Sequence, residues 1–503
     1  MKSRKRPGKR CANAQLVYKD LNAHCPIVNE RFHLIYPIKS ATICDMNLDK
    51  SIFKSYDIRG IYPSQLNEAA AKLTAQAYLK ILSKKLNKSV KDLQISIGQD
   101  VRQASGPLMR QVKEVFLEHG VKIFDCGLIS INDFYFSVGY YKYDGGIMAT
   151  ASHNPPEYGG FKMIILNPQD QVSIEFISGW DLYQEIVDLS FPLNDQKTSG
   201  TIQKKELTQD HLAHILSFVD LAKIKPLKIV VDIGNGMNGL MVKKIFEKLP
   251  GQLILLFPEP DKNFSHRPPN PLTAGASLKL GQKILSENAD LGVIFDVDGD
   301  RMFLVDEQGN FVTGDMVLVL LARSMLQRHP GAGIVYNLIC SHAVPELIKK
   351  WGGRPIRSEV GYLYLARHMR QQGGLMSGEV SGHFAFKDNY YADSGFIALV
   401  LALQAIAADG RKLSQMVEDY RLYARGDEIN ITVPNVAAKL DKISNHYQKN
   451  IKDEIDGITV EFKDWWFNVR PSNTEPLLRI TVEANSQAEL KQHQDEVLRV
   501  IHS

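Results

Sequence analysis

Three related α/β domains followed by a smaller α+β domain are what the sequence predicts, on three observations. Short apolar runs of strand length alternate with helical patterns between about residues 46 and 420, the texture of βαβ units. After about residue 420 the texture changes: Glu428–Val433, Thr459–Phe462, Trp465–Arg470 and Leu477–Val482 read as strands, with one helix near 435–450 and one at the C-terminus. Finally, each α/β round repeats a rhythm. A buried strand is followed, some tens of residues later, by a second strand that runs into a polar loop, at Ser152, at Asp296 and at Glu379. Such a repeat points three loops at one centre. At 503 residues the chain is too long for one core and suits about three or four domains. The expected division is 46–198, 199–306, 307–420 and 421–503, after an extension at 1–45.

In the first round, Ser51–Gly60 reads as a strand ending in a glycine turn, with Arg59 at its end. A guanidinium there can grip a phosphate in a bidentate fork; a solvated surface arginine is the alternative. Residues 66–86 read as an amphipathic helix, Leu93–Gly98 as a strand, Gly106–Glu118 as a helix and Val121–Asp125 as a strand. In the second round, Leu227–Asp232 is a buried-type strand. The Gly234–Gly239 stretch after it does not match the G-x-G-x-x-G spacing of a dinucleotide site. Leu253–Phe257 follows, then a loop from Pro258 to Pro271 whose His266 and Arg267 read as surface residues. The third round has a strand at Gly333–Leu338, flanked by helices at about 315–328 and 343–350.

Composition narrows the function classes. Apolar content of 44% and charged content of 23% are ordinary for a soluble globular protein. Much of the net charge of +4 comes from Lys2, Arg4, Lys5, Arg6, Lys9 and Arg10. The rest is near neutral, so no nucleic-acid partner is expected. No apolar run approaches the ~20 residues of a membrane span, so no membrane partner is expected either. Cys11, Cys25, Cys44, Cys126 and Cys340 show no CxxC spacing, which argues for a reducing cytoplasm and against a zinc site. The basic start lacks an apolar h-region, so it is not a secretory signal. Residues 1–45 read as a disordered arm or as an upstream extension from a misassigned start.

Four loops carry chemistry. Thr150-Ala151-Ser152-His153-Asn154-Pro155-Pro156 follows an apolar strand at Tyr143–Ala149. Pro155 and Pro156 forbid an immediate helix, so Ser152 and His153 sit on a tight loop at a strand's C-terminal end. Gly159-Gly160-Phe161-Lys162 brings a cation back towards it. Ser152 is a nucleophile, a phosphate carrier or an ordinary turn serine. The second loop, Asp296-Val297-Asp298-Gly299-Asp300-Arg301, leaves the strand Leu291–Phe295. Carboxylates at i, i+2 and i+4 point one way on extended backbone, and three converging like charges need a cation. Oxygen-only ligands suit Mg²⁺. Glu307 falls where an EF-hand needs its last ligand, but Arg301 stands where that motif needs glycine. The third loop carries Glu379, Ser381 and His383: a carboxylate and a hydroxyl suit adjacent sugar hydroxyls, and the histidine suits proton transfer. The fourth, Arg470-Pro471-Ser472-Asn473-Thr474, has the donor density of a phosphate cradle.

Together, in this order and spacing, the four loops resemble the α-D-phosphohexomutase superfamily, the phosphomannomutase/phosphoglucomutase group, from about Met46 to Ser503. The resemblance implies mixed sheets and a heart-shaped arrangement of four domains around a central cleft. It implies that Ser152 is phosphorylated and that Asp296, Asp298, Asp300 and phosphorylated Ser152 hold Mg²⁺. Glu379 and Ser381 would grip the sugar. Arg470, Ser472, Asn473 and Thr474 would grip the phosphate that is not being transferred. Arg59, Lys162 and His383 would lie near the phosphate being transferred, for proton transfer or charge stabilisation; His153 is counted with them as catalytic, and Arg301, which follows the metal loop, as substrate-binding. The implied reaction interconverts hexose 1- and 6-phosphates of mannose or glucose, with hexose 1,6-bisphosphate as intermediate and activator. Sugar phosphates are then the partners, and a monomer or homodimer is expected.

Three departures bear on the sugar. Many relatives carry a cation where this chain has Ile339 and an imidazole where it has Tyr362. The Gly-x-Pro-Thr-Pro stretch common before the serine loop appears as Gly127-Leu128-Ile129-Ser130-Ile131. Phosphoglucosamine mutase is the alternative within the class, and a non-catalytic sugar-phosphate-binding relative the alternative outside it. A serine hydrolase would need Gly-x-Ser-x-Gly, which Ala151-Ser152-His153 does not supply.

Overall fold

The computed structural model describes residues 48–188, 199–472 and 477–502. The expected arm at 1–45 lies outside them, as do Asn473 and Thr474. Four sheets follow one another along the chain. In the first, the strands run Ile58–Ile61, Tyr158–Leu166, Gly145–Ala149, Gln94–Gln99, Lys122–Leu128 and Thr201–Lys204 across the sheet, with Ile174–Phe176 beside Tyr158–Leu166. In the second, the order is Phe311–Val312, Met302–Val305, Leu291–Phe295, Leu227–Asp232 and Gly251–Leu256; in the third, Arg354–Ser358, Gly333–Asn337, Gly374–Gly378, Phe384–Phe386 and Ala392–Asp393. The fourth is antiparallel, built on Trp465–Pro471 and Leu477–Ala484.

The first three sheets share one device. Parallel strands end at a central strand, and the chain leaves it, makes a loop and returns antiparallel beside it. The pairs are Gly145–Ala149 with Tyr158–Leu166, Leu291–Phe295 with Met302–Val305 and Gly374–Gly378 with Phe384–Phe386. The loops so formed hold Ser152, the three aspartates and Glu379. The predicted repeat is therefore real, and each sheet is mixed at the same place.

The central strands are buried on both faces, which explains why they read as continuous apolar runs rather than alternating ones. One apolar cluster runs from Leu212 to Tyr420, through Val293, Phe295, Phe396 and Leu399, so the second and third rounds share a core. The helix Gly395–Asp409 lies inside it and is buried nearly all round. A helix without a polar face has no 3.6-residue signal, and sequence periodicity passes over it. The strand expected over Ser51–Gly60 is shorter: Lys50–Ile52 is a single 3-10 turn capped by Asp49, and only Ile58–Ile61 pairs in the sheet. Among the described residues, no helix is long and apolar enough to cross a membrane.

Candidate active site

Ser152 is 1% exposed and adopts φ +49°, a backbone region that non-glycine residues avoid. Arg102 compensates. Its guanidinium donates to the Ser152 carbonyl, to Asn154 O at 2.7 Å and to Pro155 O at 2.7 Å. It is itself held by Asp100 at 3.1 Å, and Asp100 also accepts from Thr150 Oγ1 at 2.7 Å. Asn154 is fixed from its other side by Arg59 Nη1 at 2.6 Å, while Asp57 anchors the same guanidinium at 2.8 Å. Arg59 is thus tied to the serine loop and is not a solvated surface residue.

Opposite lies the aspartate loop. Ser152 Oγ is 3.0 Å from Asp298 Oδ1, and Lys162 Nζ is 3.1 Å from Asp298 Oδ2 and 2.6 Å from Asp300 Oδ2. The loop is curled, not extended as the i, i+2, i+4 argument assumed. Gly299 turns it at φ +88°, and the N–H groups of Gly299 and Arg301 donate to Asp296 Oδ1 at 3.0 and 3.2 Å. The carboxylates still converge, with a ligand oxygen from each within 4.8 Å of the others. Asp296 Oδ2 and Asp300 Oδ1 are buried with no hydrogen-bond partner. Burial, then the charges of Asp300 and Asp298, drive Asp296 well above the usual carboxylate range. Three buried carboxylates with orphaned oxygens and one lysine are the donor set of a hard divalent cation, so the residues fit Mg²⁺. Glu307 is elsewhere, accepting from the Ser414 hydroxyl, which removes the EF-hand.

The histidines have defined orientations. Arg301 Nη2 approaches His153 Nε2 at 3.4 Å, and His153 Nδ1 is 3.0 Å from Ser152 Oγ. An arginine only donates, so Nε2 accepts, the proton sits on Nδ1, and the serine hydroxyl donates onward to Asp298. Burial, with Arg301 and Arg59 nearby, holds His153 well below the ordinary histidine pKa, in keeping with this neutral form. His383 accepts from Arg301 Nε at 3.0 Å through Nε2 and pairs through Nδ1 with Asp393 at 3.0 Å. Tyr362 stacks on its ring at 5.3 Å and also meets Tyr56 and Phe176 of the first round.

The third loop is a tight turn. Glu379 N donates to His383 O, and Gly382 N to Glu379 O. Glu379 and Ser381 meet in it: the Ser381 hydroxyl donates to one Glu379 oxygen, and Asn337 Nδ2 to the other at 3.1 Å. This loop is joined to the aspartate loop by Met302 N to Gly382 O at 3.1 Å and by the Arg301–His383 bridge. Of the fourth loop, Arg470 and Ser472 are among the described residues. Arg470 pairs with Glu428 at 2.6 Å, and Arg479 reaches Glu428 at 3.2 Å and Ser472 Oγ at 3.4 Å. Its sheet docks on the third round through Arg357 to Asp453, Val360 N to Asp456 at 3.1 Å and His342 N to Glu483 at 2.9 Å.

Sequence reasoning passed over Arg102, Asp100, Asn337 and Asp393, buried polar residues whose partners in the site lie 10 to 50 positions away. Arg267 was misread: it is 7% exposed, donating to Asp232 at 2.8 Å and to the Phe295 carbonyl at the root of the aspartate loop. Its buried carboxylate partner on a neighbouring strand is the signal that would have found it.

Comparison with known proteins agrees with this geometry. Family models for Phosphoglucomutase/phosphomannomutase match alpha/beta/alpha domain I at 50–171, domain II at 209–309, domain III at 313–423 and the C-terminal domain at 428–500. A phosphomannomutase of Methanocaldococcus jannaschii is 35% identical over 90% of this chain and 98% of its own. Phosphohexose mutases of Xanthomonas campestris pv. campestris are 34% identical over 87% of this chain and 96% of theirs. Among solved structures, a phosphoglucomutase/phosphomannomutase family protein from Burkholderia thailandensis superposes with a TM-score of 0.80. It is 28% identical and covers 90% of this chain and 97% of its own.

Proposed function

The chain belongs to the phosphoglucomutase/phosphomannomutase family, and from that premise we infer that it interconverts hexose 1-phosphates and hexose 6-phosphates, of mannose or glucose. The observation that carries the reading is the buried meeting of Ser152 Oγ with Asp298, beside the Asp296 and Asp300 carboxylate oxygens that accept no hydrogen bond.

Ser152, as phosphoserine, gives its phosphoryl group to the free hydroxyl of a hexose monophosphate. The serine P–O bond breaks, a sugar P–O bond forms, and the proton lost by the sugar hydroxyl is made good on the departing Ser152 oxygen, which leaves as a hydroxyl. The resulting 1,6-bisphosphate turns over in the cleft and returns its other phosphate to Ser152. Asp296, Asp298, Asp300 and phosphorylated Ser152 would hold Mg²⁺, which when bound neutralises charge on the phosphoryl oxygens. Lys162, Arg59 and Arg301 add fixed positive charge around Ser152. His153, which burial keeps neutral, and His383, where against burial the carboxylates of Asp300 and Asp393 raise the pKa, are the groups assigned to proton transfer. Glu379 and Ser381 bind the sugar hydroxyls, and Arg470, Ser472, Asn473 and Thr474 bind the phosphate that stays. In this role Arg470 exchanges Glu428 for the phosphate.

Four domains at 46–198, 199–306, 307–420 and 421–503 are part of the same reading, with the strands Thr201–Lys204 and Phe311–Val312 each reaching back to the preceding sheet. The free thiols of Cys126 and Cys340 support a reducing, cytoplasmic setting, and a monomer or homodimer completes the proposal.

The test is a coupled mutase assay with Mg²⁺ and a trace of glucose 1,6-bisphosphate, comparing mannose, glucose and glucosamine 1-phosphates. Turnover on mannose or glucose phosphate is expected. Turnover on glucosamine phosphate alone would reassign the sugar. Ser152→Ala should lose at least about a thousandfold in kcat with the fold kept; near-wild-type rates would overturn the phosphoserine assignment.

A further inference from the structure

Ser152 belongs to the first sheet's segment and Asp298 to the second's, so their 3.0 Å separation spans two bodies of chain. Something other than the reacting groups must set it. Three consecutive carbonyls of the aspartate loop are held by fixed donors. Val297 O accepts from Met237 N at 3.0 Å, within its own segment. Asp298 O accepts from Ile131 N at 3.1 Å, and Gly299 O from Asn132 Nδ2 at 2.7 Å. These last two donors open the helix Ile131–Tyr141, whose Phe134 and Val138 pack beneath the serine strand at Gly146. Asn132 Oδ1 in turn accepts from Gly395 N at 3.0 Å, at the start of the third segment's helix Gly395–Asp409.

One amide, 2% exposed, therefore touches all three segments that carry the converging loops. There is little slack around it. A Cβ on Gly395 would lie 2.7 Å from Gly299 O, and one on Gly299 would overlap the Asn238 amide. The loop that is gripped carries three mutually repelling carboxylates, which push it open; backbone anchors resist that push. A proline at 131 would have no N–H for Asp298 O.

We propose that the Ile131 N–H and the Asn132 side chain are positioning groups for the metal-binding loop, holding the Asp298 and Gly299 carbonyls so that the three carboxylates face Ser152. The inference rests on the metal reading above, and it concerns how the ligands are aimed, not which they are.

The experiment measures Mn²⁺ binding to the full chain by electron paramagnetic resonance of the free ion, in wild type, Asn132→Ala, Ile131→Pro and Phe134→Leu. Proline is favoured at the first position of a helix, so Ile131→Pro removes the donor and keeps the helix. Phe134→Leu loosens the same helix without touching either bond. Asn132→Ala and Ile131→Pro should each bind Mn²⁺ about tenfold more weakly. Their kcat should fall in parallel, and KM for hexose 1-phosphate should stay within about twofold. Phe134→Leu should lower Tm and leave Mn²⁺ affinity unchanged. Wild-type affinity in both anchor variants, or equal weakening in Phe134→Leu, overturns the inference alone. A wild-type chain that binds no Mn²⁺ overturns the metal assignment and this inference with it.

Discussion

Left-handed backbone at Ser152 costs an L-residue about 1 kcal/mol or more, and Arg102 supplies the hydrogen bonds that hold it. Three carbonyls of the serine loop converge on this one guanidinium. A lysine keeps the charge but its three donors radiate from one nitrogen, so it cannot reproduce the fork that meets all three carbonyls from two nitrogens. Arg102→Lys should therefore lower kcat by about a hundredfold while KM changes little, because the misplaced group is Ser152, the proposed phosphate carrier, and not the proposed sugar contacts. Steady-state kinetics of the variant check this; an unchanged kcat would show that the loop holds its shape without Arg102. Asp393 and Asn337 act in the same indirect way, one orienting His383 and the other Glu379.

Helix Thr208–Leu216 shows how an element can tie sheets together and become sensitive to pH. His211 is buried against Asp133 of the first round at 2.7 Å, and His214 Nε2 meets Asn389 of the third at 3.0 Å. His214 also stacks on Tyr390 at 5.5 Å. Burial lowers its pKa from 6.5 to about 4, the Asn389 bond opposing the shift. The folded state thus refuses a proton that the unfolded chain accepts between about pH 6.5 and 4. Stability contributed by neutral His214 is present above that window and is lost as pH falls through it, by at most roughly 3 kcal/mol. His214→Gln should be less stable than wild type at neutral pH but lose less Tm on acidification. Melting curves at about pH 7 and about pH 5 test this; parallel losses in both proteins would place the acid sensitivity elsewhere.

For the whole molecule, the decisive geometry is the approach of the fourth sheet. Arg470 and Ser472 can serve a substrate only if that sheet closes over the other three loops, as a lid would. Its described polar and aromatic contacts with the third round include Arg357 with Asp453 and Thr459, Val360 N with Asp456, His342 N with Glu483, Arg425 with Asp315, and His342 stacked on Trp466 at 4.7 Å. Interfaces of this kind open and close more readily than apolar ones. Arg357→Met removes a partly buried ion pair worth about 1 kcal/mol, which biases the lid towards open. KM for hexose phosphate should rise about fivefold, with kcat and Tm nearly unchanged. A fall in kcat at constant KM would assign Arg357 to chemistry instead of closure.

What was legible in the chain follows from what is local. Central strands buried on both faces announce themselves as apolar runs, and the loops after them keep their polar residues within a few positions. The serine loop, the aspartate triad, Glu379 with Ser381 and the Arg470 loop could therefore be read in order, and with them the α/β rounds and the change of texture near residue 420. Tertiary structure alone decided which distant groups meet those loops: Arg102 on the serine carbonyls, Arg267 beneath the aspartates, Tyr362 on His383 and Asn132 between three segments. It also decided that the aspartate loop curls and that Gly395–Asp409 is buried nearly all round. A contact between residues tens to hundreds of positions apart leaves no periodicity in sequence. It arises only when sheets pack, and burial then makes each such polar pairing obligatory.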